Sequence, residues 1–356
     1  MKICFLGDAG SIHVRRWIEF FRDTGNEVYI ISFRKANIDG VKLYYIGDSL
    51  NINSDGGNTA YLKKVFTIRR LIKKIKPDLI NAHYLTSYGF IGSLVKGKIP
   101  FVVSTWGSDI LVTPKQNKIY KLLTEFVLKK CDLVTSDSNY MSKEIINLKA
   151  DKYKVLTIPM GVSLSDIDLN HIKEDRSKIF LSMRTLCDNS NIECILDSFK
   201  IVSEIYTDSR LIITNSGNSE KEVLKHIKEL GIEEKVDFMG FINRKKMFEL
   251  LNEGLSFISI PKSDSTSVTL LESMISGSFP IVSDLPANKE WITNEVNGLI
   301  LNKFDSDELS KLMIRTIEDK ELIKSSRKIN RKIIEDRAIW EDNMNTALKE
   351  YEDILK

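Results

Sequence analysis

Two spacings of apolar residues alternate along this chain, and the points where one gives way to the other mark its elements. Ile3–Leu6, Glu27–Ser32, Lys42–Ile46, Asp78–Ala82, Phe101–Thr105, Asp132–Ser136 and Lys154–Ile158 are short, rich in β-branched and aromatic residues, and bounded by turn formers. Such runs predict buried strands. Val14–Arg22, Tyr61–Lys76 and Ile119–Lys129 instead repeat apolar residues every three or four positions, which predicts helices. The pattern pauses at Pro159-Met160-Gly161, and Ser163–Arg176 is polar without a period, so the linker is placed there. A second alternation follows: strand Ile179–Met183, helix Ile192–Ile205, strand Arg210–Thr214, helix Glu220–Leu230, strand Val236–Met239 and helix Lys245–Asn252. The last stretches, Ser306–Ile317, Glu321–Ile334 and Trp340–Leu355, are helix-forming. Two successive strand–helix alternations predict an α/β protein of two doubly wound domains, with ligands at the carboxyl ends of the strands.

Length agrees, because 356 residues exceed one ordinary core. The expected boundaries are 1–165, 166–338 and a terminal helical segment 339–356. Hydrophobic residues at 42% and charged ones at 28% fit a globular chain. No apolar run approaches the ~20 residues of a membrane span. The opening ICFL, closed by GDAG, is expected to be a first strand and not a leader. Cys4, Cys131, Cys187 and Cys194 form no Cys-x-x-Cys pair, which favours free thiols in a reducing cytoplasm. The four histidines have no zinc spacing, so no metal is expected.

Charge is divided unevenly. Residues 1–165 hold 25 Lys/Arg against 14 Asp/Glu, and residues 166–356 hold 27 against 35, nets of +11 and −8. One half is therefore suited to an anionic surface or substrate. Within it, Tyr61–Lys76 has seven basic residues and no acidic one, with Leu62, Val65, Phe66, Ile68, Ile72 and Ile75 at helical spacing. This helix either docks on an anionic membrane or faces the core with a solvated basic side.

The richest segment is Leu255–Asp284, LSFISIPKSDSTSVTLLESMISGSFPIVSD. It reads strand, loop, helix, strand, with the helix opening at Ser265-Thr266-Ser267 and closing at Gly277. A helix N-terminus suits an anion through its free N–H groups and dipole. Asp264 and Glu272 flank it, so a phosphate and sugar hydroxyls could be held together.

With these motifs placed, the chain resembles the family 4 glycosyltransferases, of the type that act in cell-surface polysaccharide biosynthesis. GDAGSIHVRRW, NAHYLTSYG, STWGSDIL, IPMGVS, SMRTLCDNSNI, VDFMGFI and the Asp264–Glu272 segment follow the family's order from Met1 to about Trp340. The resemblance implies the GT-B architecture, two Rossmann-like domains facing across a cleft, with the last helix returning to the first domain. It also implies a retaining, metal-independent, hexosyl-type enzyme that takes its donor, most simply UDP-linked, in the second domain.

By that resemblance Asp264 contacts the donor sugar and Glu272 the ribose, in a Glu-x7-Glu pair with aspartate first. Ser265, Thr266, Ser267 and Val268 offer amides to the diphosphate, and Arg184 neutralises it. The family's lysine five or six residues on is absent, since 189 and 190 are Asn and Ser, and Lys262 is expected to replace it. Backbone near Gly240 and Phe241 would read the base. Gly10 and Ser11 belong to a glycine-rich loop that either meets donor phosphates or is a plain strand-to-helix turn. His13 and Arg15 head the next helix on the acceptor side. His83 lies near the acceptor or bonds a neighbouring loop. Trp106 stands where many members carry histidine, and Asp109 orients the acceptor hydroxyl or caps its helix.

The expected activity is transfer of a sugar from a nucleotide diphosphate sugar, a substrate and not a cofactor, to a hydroxyl of a lipid-linked or surface-glycan acceptor. Cytoplasmic placement, peripheral at the inner membrane face, goes with it; nucleic acid is not an expected partner. A nucleotide-sugar epimerase of the same fold, or a weakly catalytic nucleotide-sugar-binding subunit of a synthase complex, are the alternatives. A two-carboxylate glycosidase needs no phosphate-binding helix start.

Overall fold

The computed structural model describes residues 1–47, 59–167 and 172–356. The chain divides into two compact units, Met1–Pro159 with Asp342–Lys356, and Met160–Glu341. Strands of the first unit are β1 (Lys2–Leu6), β2 (Glu27–Ser32), β3 (Lys42–Tyr45), β4 (Leu79–His83), β5 (Phe101–Ser104), β6 (Leu133–Ser136) and β7 (Val155–Thr157). They lie in the order β3-β2-β1-β4-β5-β6-β7, and neighbours are parallel. Parallel neighbours need crossovers, whose right-handedness puts helices on both faces of the sheet. On one face, Cys4, Leu6 and Ile31 pack with Ile68 and Ile72 of helix Val65–Ile75 and with Val127 of helix Lys118–Lys130. On the other lie Phe5 of β1, Phe21 of helix Ile12–Asp23 and Tyr351 of the last helix, Trp340–Ile354. Phe21 and Tyr351 stack with ring centroids 4.9 Å apart.

The second unit repeats the plan with β8 (Ser177–Ser182), β9 (Arg210–Thr214), β10 (Val236–Gly240), β11 (Gly254–Ser259), β12 (Phe279–Ser283) and β13 (Leu299–Leu301). Their order is β10-β9-β8-β11-β12-β13, again with parallel neighbours. Strand order reverses between β1 and β4 in one sheet and between β8 and β11 in the other. These are the switch points where loops diverge and leave room for a ligand.

The crossing between units falls at Pro159–Met160, earlier than the boundary after 165 expected from the sequence. Met160–Ser163 is not free linker, because Val162 bridges in parallel to Ile339. The Val162 amide donates to Ala338 O (2.8 Å) and the Trp340 amide to Val162 O (3.0 Å). Gly161 makes this approach possible: its φ is +67°, and a Cβ there would sit 2.7 Å from Ala338 O. Of the expected linker, 168–171 lies outside the described residues. Its end is a clamp. Arg176 Nη1 donates to Leu251 O (2.6 Å) and Gly254 O (2.8 Å), and Nη2 donates to Ser276 O (2.6 Å). One guanidinium thus closes the carboxyl ends of helices Arg244–Glu253 and Val268–Ile275. Burial, with Arg327 nearby, pulls its pKa down to about 9.

Tyr61–Lys76 is a 3₁₀ turn, Thr59–Lys64, followed by helix Val65–Ile75. Ile68, Ile72 and Ile75 are buried, but Phe66 is 79% exposed and Leu62 47%, so the apolar stripe does not face the core as a whole. Among the described residues no helix is long and apolar enough to cross a membrane.

Candidate functional site

Because β8 and β11 are adjacent, with Phe257 beside Leu181, their following loops emerge side by side. Arg184 leaves β8 and Asp264 lies beyond β11, and Arg184 Nη1 donates to Asp264 Oδ2 at 2.7 Å. Nη1 also lies 3.4 Å from Ser259 Oγ. The buried Nε of Arg184 has no partner among the described residues, which leaves a donor for a ligand oxygen. Asn189, where the family pattern has lysine nearby, ties the loops together. Its Nδ2 donates to Ser263 O (2.9 Å), its Oδ1 accepts from the Ser263 amide (3.0 Å), and its carbonyl accepts from the Lys262 amide (2.9 Å). Lys262 is held at the same place, with Nζ 2.7 Å from Asp188 Oδ1. Such a solvent-facing pair costs little to exchange for a phosphate.

The helix after this loop runs Val268–Ile275, with Ser267 as N-cap accepting from the Leu270 amide at 3.3 Å. Ser265 and Thr266 are buried rather than presented to solvent. The Ser265 amide donates to Asp264 Oδ1 (3.0 Å), and Thr266 Oγ1 accepts from Trp291 Nε1 (3.3 Å). The hydroxyls of Thr266 and Ser267 thus shape the helix mouth, while the first-turn amides at Val268 and Thr269 are those a helix leaves without intrahelical partners. Glu272 is buried one turn inside, 3.0 Å from Arg244 Nη1. Arg244 escaped the sequence reading; a cation heading the helix after VDFMGFIN was the only signal. The Arg176 clamp fixes the far ends of the two helices that carry this pair. Gly240 ends edge strand β10 and Phe241 follows it, with β9 between β10 and β8. Gly240 O accepts from the Asn215 amide, and Phe241 is 81% exposed.

The first unit's switch point is built differently. Its glycine-rich loop is closed on itself. The Ala9 amide donates to Ser32 Oγ (3.0 Å), the Gly10 amide to Asp8 Oδ1 (2.8 Å) and the Ser11 amide to Asp8 O (3.0 Å). With these bonds Gly10 and Ser11 lead from strand β1 into helix Ile12–Asp23 as a strand-to-helix turn. Arg15 forms an i,i+4 pair with Glu19 (3.7 Å).

His83 ends β4 opposite Ser104 of β5, which places it near Trp106. Ring centroids of His13 and Trp106 are 5.3 Å apart, and those of Trp106 and His83 5.5 Å, both pairs stacked. Trp17 meets His83 edge-on at 5.4 Å. Asn81, fully buried, orients the imidazole. Its Nδ2 faces Val102 O (3.4 Å) and Ser104 Oγ (3.1 Å), so Oδ1 is left to accept from His83 Nε2 (2.9 Å). That arrangement keeps the proton on Nε2 and makes Nδ1 an acceptor. Nδ1 of both histidines and Nε1 of Trp17 and Trp106 are buried without partners among the described residues. Burial lowers the pKa of His83 to about 3; burial, helped by Arg16, lowers that of His13 to about 4. Both rings are neutral at physiological pH.

Asp109 is fully buried, and its oxygens accept from the Leu85 (2.8 Å) and Trp106 (3.0 Å) amides. These bonds tie the loop entering at Leu85 to the loop carrying Trp106, so the side chain holds the two loops together, while the helix it belongs to has Gly107 at its N-cap without a side-chain cap bond. Burial raises its pKa to about 6 against the opposing pull of those amides. Among the described residues, no group of three or more His, Cys, Asp and Glu is placed to hold a metal ion.

Known proteins share this plan. Residues 2–138 match the family described as glycosyl transferase 4-like, and residues 166–335 match glycosyl transferases group 1. An Escherichia coli UDP-Gal:alpha-D-GlcNAc-diphosphoundecaprenol alpha-1,3-galactosyltransferase is 23% identical over 293 residues, covering 77% of this chain and 75% of its own. Sucrose-phosphate synthase from Thermosynechococcus elongatus superposes with a TM-score of 0.85 at 15% identity, covering 99% of each chain. Anabaena HepE in complex with UDP-glucose gives 0.79 at 16% identity, covering 99% of this chain and 100% of that one. Both domain matches, in the order the motifs required and on two parallel α/β sheets, establish that the chain belongs to the family 4 glycosyltransferases of GT-B architecture.

Proposed function

We propose that the protein is a retaining, hexosyl-type glycosyltransferase that moves a sugar from a UDP-linked donor to a hydroxyl of a lipid-linked or surface-glycan acceptor. The observation that carries the reading is Arg184. It stands at the switch point with one arm on Asp264 and a spare Nε donor, beside a helix mouth and Lys262. Leaving diphosphate charge would be met by Arg184, Lys262 and the Val268 and Thr269 amides, with no metal ion required. Asp264 would accept from sugar hydroxyls and Glu272 from the ribose, each exchanging its arginine partner in part for substrate. UDP is favoured by the HepE complex with UDP-glucose and by the E. coli relative, whose donor is UDP-Gal. That relative's diphosphoundecaprenol acceptor supports a lipid-linked one here.

In the proposed step the acceptor oxygen bonds to the anomeric carbon on the face the leaving group departs. The C1–O bond to the diphosphate breaks, and the acceptor proton passes to the departing phosphate oxygen. No protein base is then required. His83 Nδ1, neutral and without a partner, would accept from the incoming hydroxyl and orient it. Four free cysteines fit a reducing cytoplasm. NMR of the product's anomeric centre is the test: retained configuration is expected, and inversion would overturn the mechanism.

A further inference from the structure

Crossover helices in a parallel sheet run back from the carboxyl ends of the strands to the amino ends, so their first turns lie at the carboxyl edge. The first unit shows this directly. After helix Val65–Ile75 the Asp78 amide donates to Lys2 O at the start of β1, and after helix Lys118–Lys130 the Asp132 amide donates to Phe101 O at the start of β5. Both helices flank helix Phe90–Val95 on one face. Arg69 Nη2 donates to Leu94 O (2.8 Å) from one side, and Phe126 meets Phe90 (6.2 Å) from the other.

Large apolar side chains are exposed in the opening turns of these helices: Phe66 at 79%, Ile119 at 69% and Leu122 at 63%. The exposed Lys63, Lys118 and Lys121 share those turns. From residue 59 to 130 the acidic residues are Asp78, Asp109 and Glu125. Asp109 is buried, Glu125 is buried and paired with Lys149 (2.7 Å), and Asp78 lies at the amino edge, where it accepts from the Lys2 amide. These elements therefore present apolar tips among cations, with no exposed carboxylate, at the same edge as His83 and Trp106.

We propose that this carboxyl edge docks on an anionic lipid bilayer, with Phe66, Ile119 and Leu122 entering the headgroup region and Lys63, Lys118 and Lys121 meeting lipid charge. The inference rests on the lipid-linked acceptor reading and refines it, since edge-on docking brings the bilayer to the end of the domain where an acceptor hydroxyl would be held. It differs from a flat basic face because Lys73, Lys74, Lys129 and Lys130 lie at the other end of the same helices. That end is about 14 Å along the helix axis, beyond the screening length at physiological salt.

Flotation with phosphatidylglycerol/phosphatidylcholine vesicles tests it, with UDP binding measured on every sample. Wild type is expected to float with these vesicles and not with phosphatidylcholine alone. The combined variant Phe66→Ser, Ile119→Ser, Leu122→Ser should bind the vesicles at least about tenfold more weakly and keep its UDP affinity. Replacing Lys63, Lys118 and Lys121 by Gln should cost about fivefold per lysine. Replacing Lys73, Lys74, Lys129 and Lys130 by Gln should change little. Equal loss from the last variant would overturn the edge geometry. A serine variant that floats normally but sediments as a smaller species would assign the patch to a second copy of the chain and overturn docking. Wild type that binds UDP but ignores anionic vesicles would overturn docking alone, whereas failure to bind UDP would overturn the donor reading.

Discussion

The two switch points occupy equivalent places in similar sheets, yet one is built from charge and the other from neutral rings. In the second unit Arg184 pairs with Asp264, Arg244 with Glu272 and Lys262 with Asp188, so each charge already has an opposite. In the first unit His13, Trp106 and His83 stack without charge, and several buried polar atoms have no partner among the described residues. The contrast follows from what each edge is proposed to hold. A diphosphate brings negative charge and is favoured where cations and amides are fixed beforehand. A sugar hydroxyl brings a neutral dipole, for which an oriented lone pair on an uncharged ring suffices.

The largest effect should come from breaking the charged edge. Arg184→Ala is expected to lower kcat by about 10²–10³-fold, with the fold retained by circular dichroism. An unchanged kcat would remove Arg184 from the chemistry.

The neutral edge should show itself in the pH dependence of stability. His13 and His83 have folded pKa values of about 4 and about 3, below the ordinary 6.5. Unfolding therefore takes up protons, and their stabilisation, complete above pH 6.5, is lost as pH falls. Asp109 runs the other way, because its pKa is raised from 3.8 to about 6 and the folded state holds the extra proton in that window. From pH 6.5 to 4 the two histidines and the opposing Asp109 give a net slope near one proton, worth about 1.4 kcal/mol per pH unit. His83→Phe should remove one proton from the slope of the first unit's urea unfolding. An unaltered slope would mean that His83 is not held neutral.

Much of the fold was legible because buried parallel strands are uniformly apolar and their crossover helices amphipathic, so the period changes at each boundary. Strand β13 was missed: Leu299–Leu301 is three residues long, too short to carry a period. The site was legible where it depends on local chain, as at Asp264–Glu272. It was not where distant segments meet. That Asn189 would clamp Ser263, that Arg244 would reach Glu272, and that Asp8 would consume the amides of its own loop depend on tertiary approach. Nor does any apolar spacing reveal that Phe66 points outward while Ile68 points in.

Smaller effects sharpen the contrast. Lys262→Ala should raise the donor KM about tenfold, since Lys262 is the cation proposed to replace the missing lysine; no change would leave Arg184 and the helix amides to act alone. Asn81→Asp places a carboxylate against His83 Nε2–H and should raise the histidine's pKa, whereas wild type at neutral pH should show the Nε2–H tautomer by ¹⁵N NMR. An Nδ1–H tautomer in wild type would contradict the orientation attributed to Asn81.

The central claim is that a nucleoside diphosphate seats on the mouth of the helix beginning at Val268, between Arg184 and Glu272. Amide hydrogen exchange with and without saturating UDP tests it most directly. Slower exchange concentrated in Ser265–Leu270 and around Arg184 is the expected result. Saturated binding that leaves those amides exchanging as before, with protection elsewhere, would contradict it.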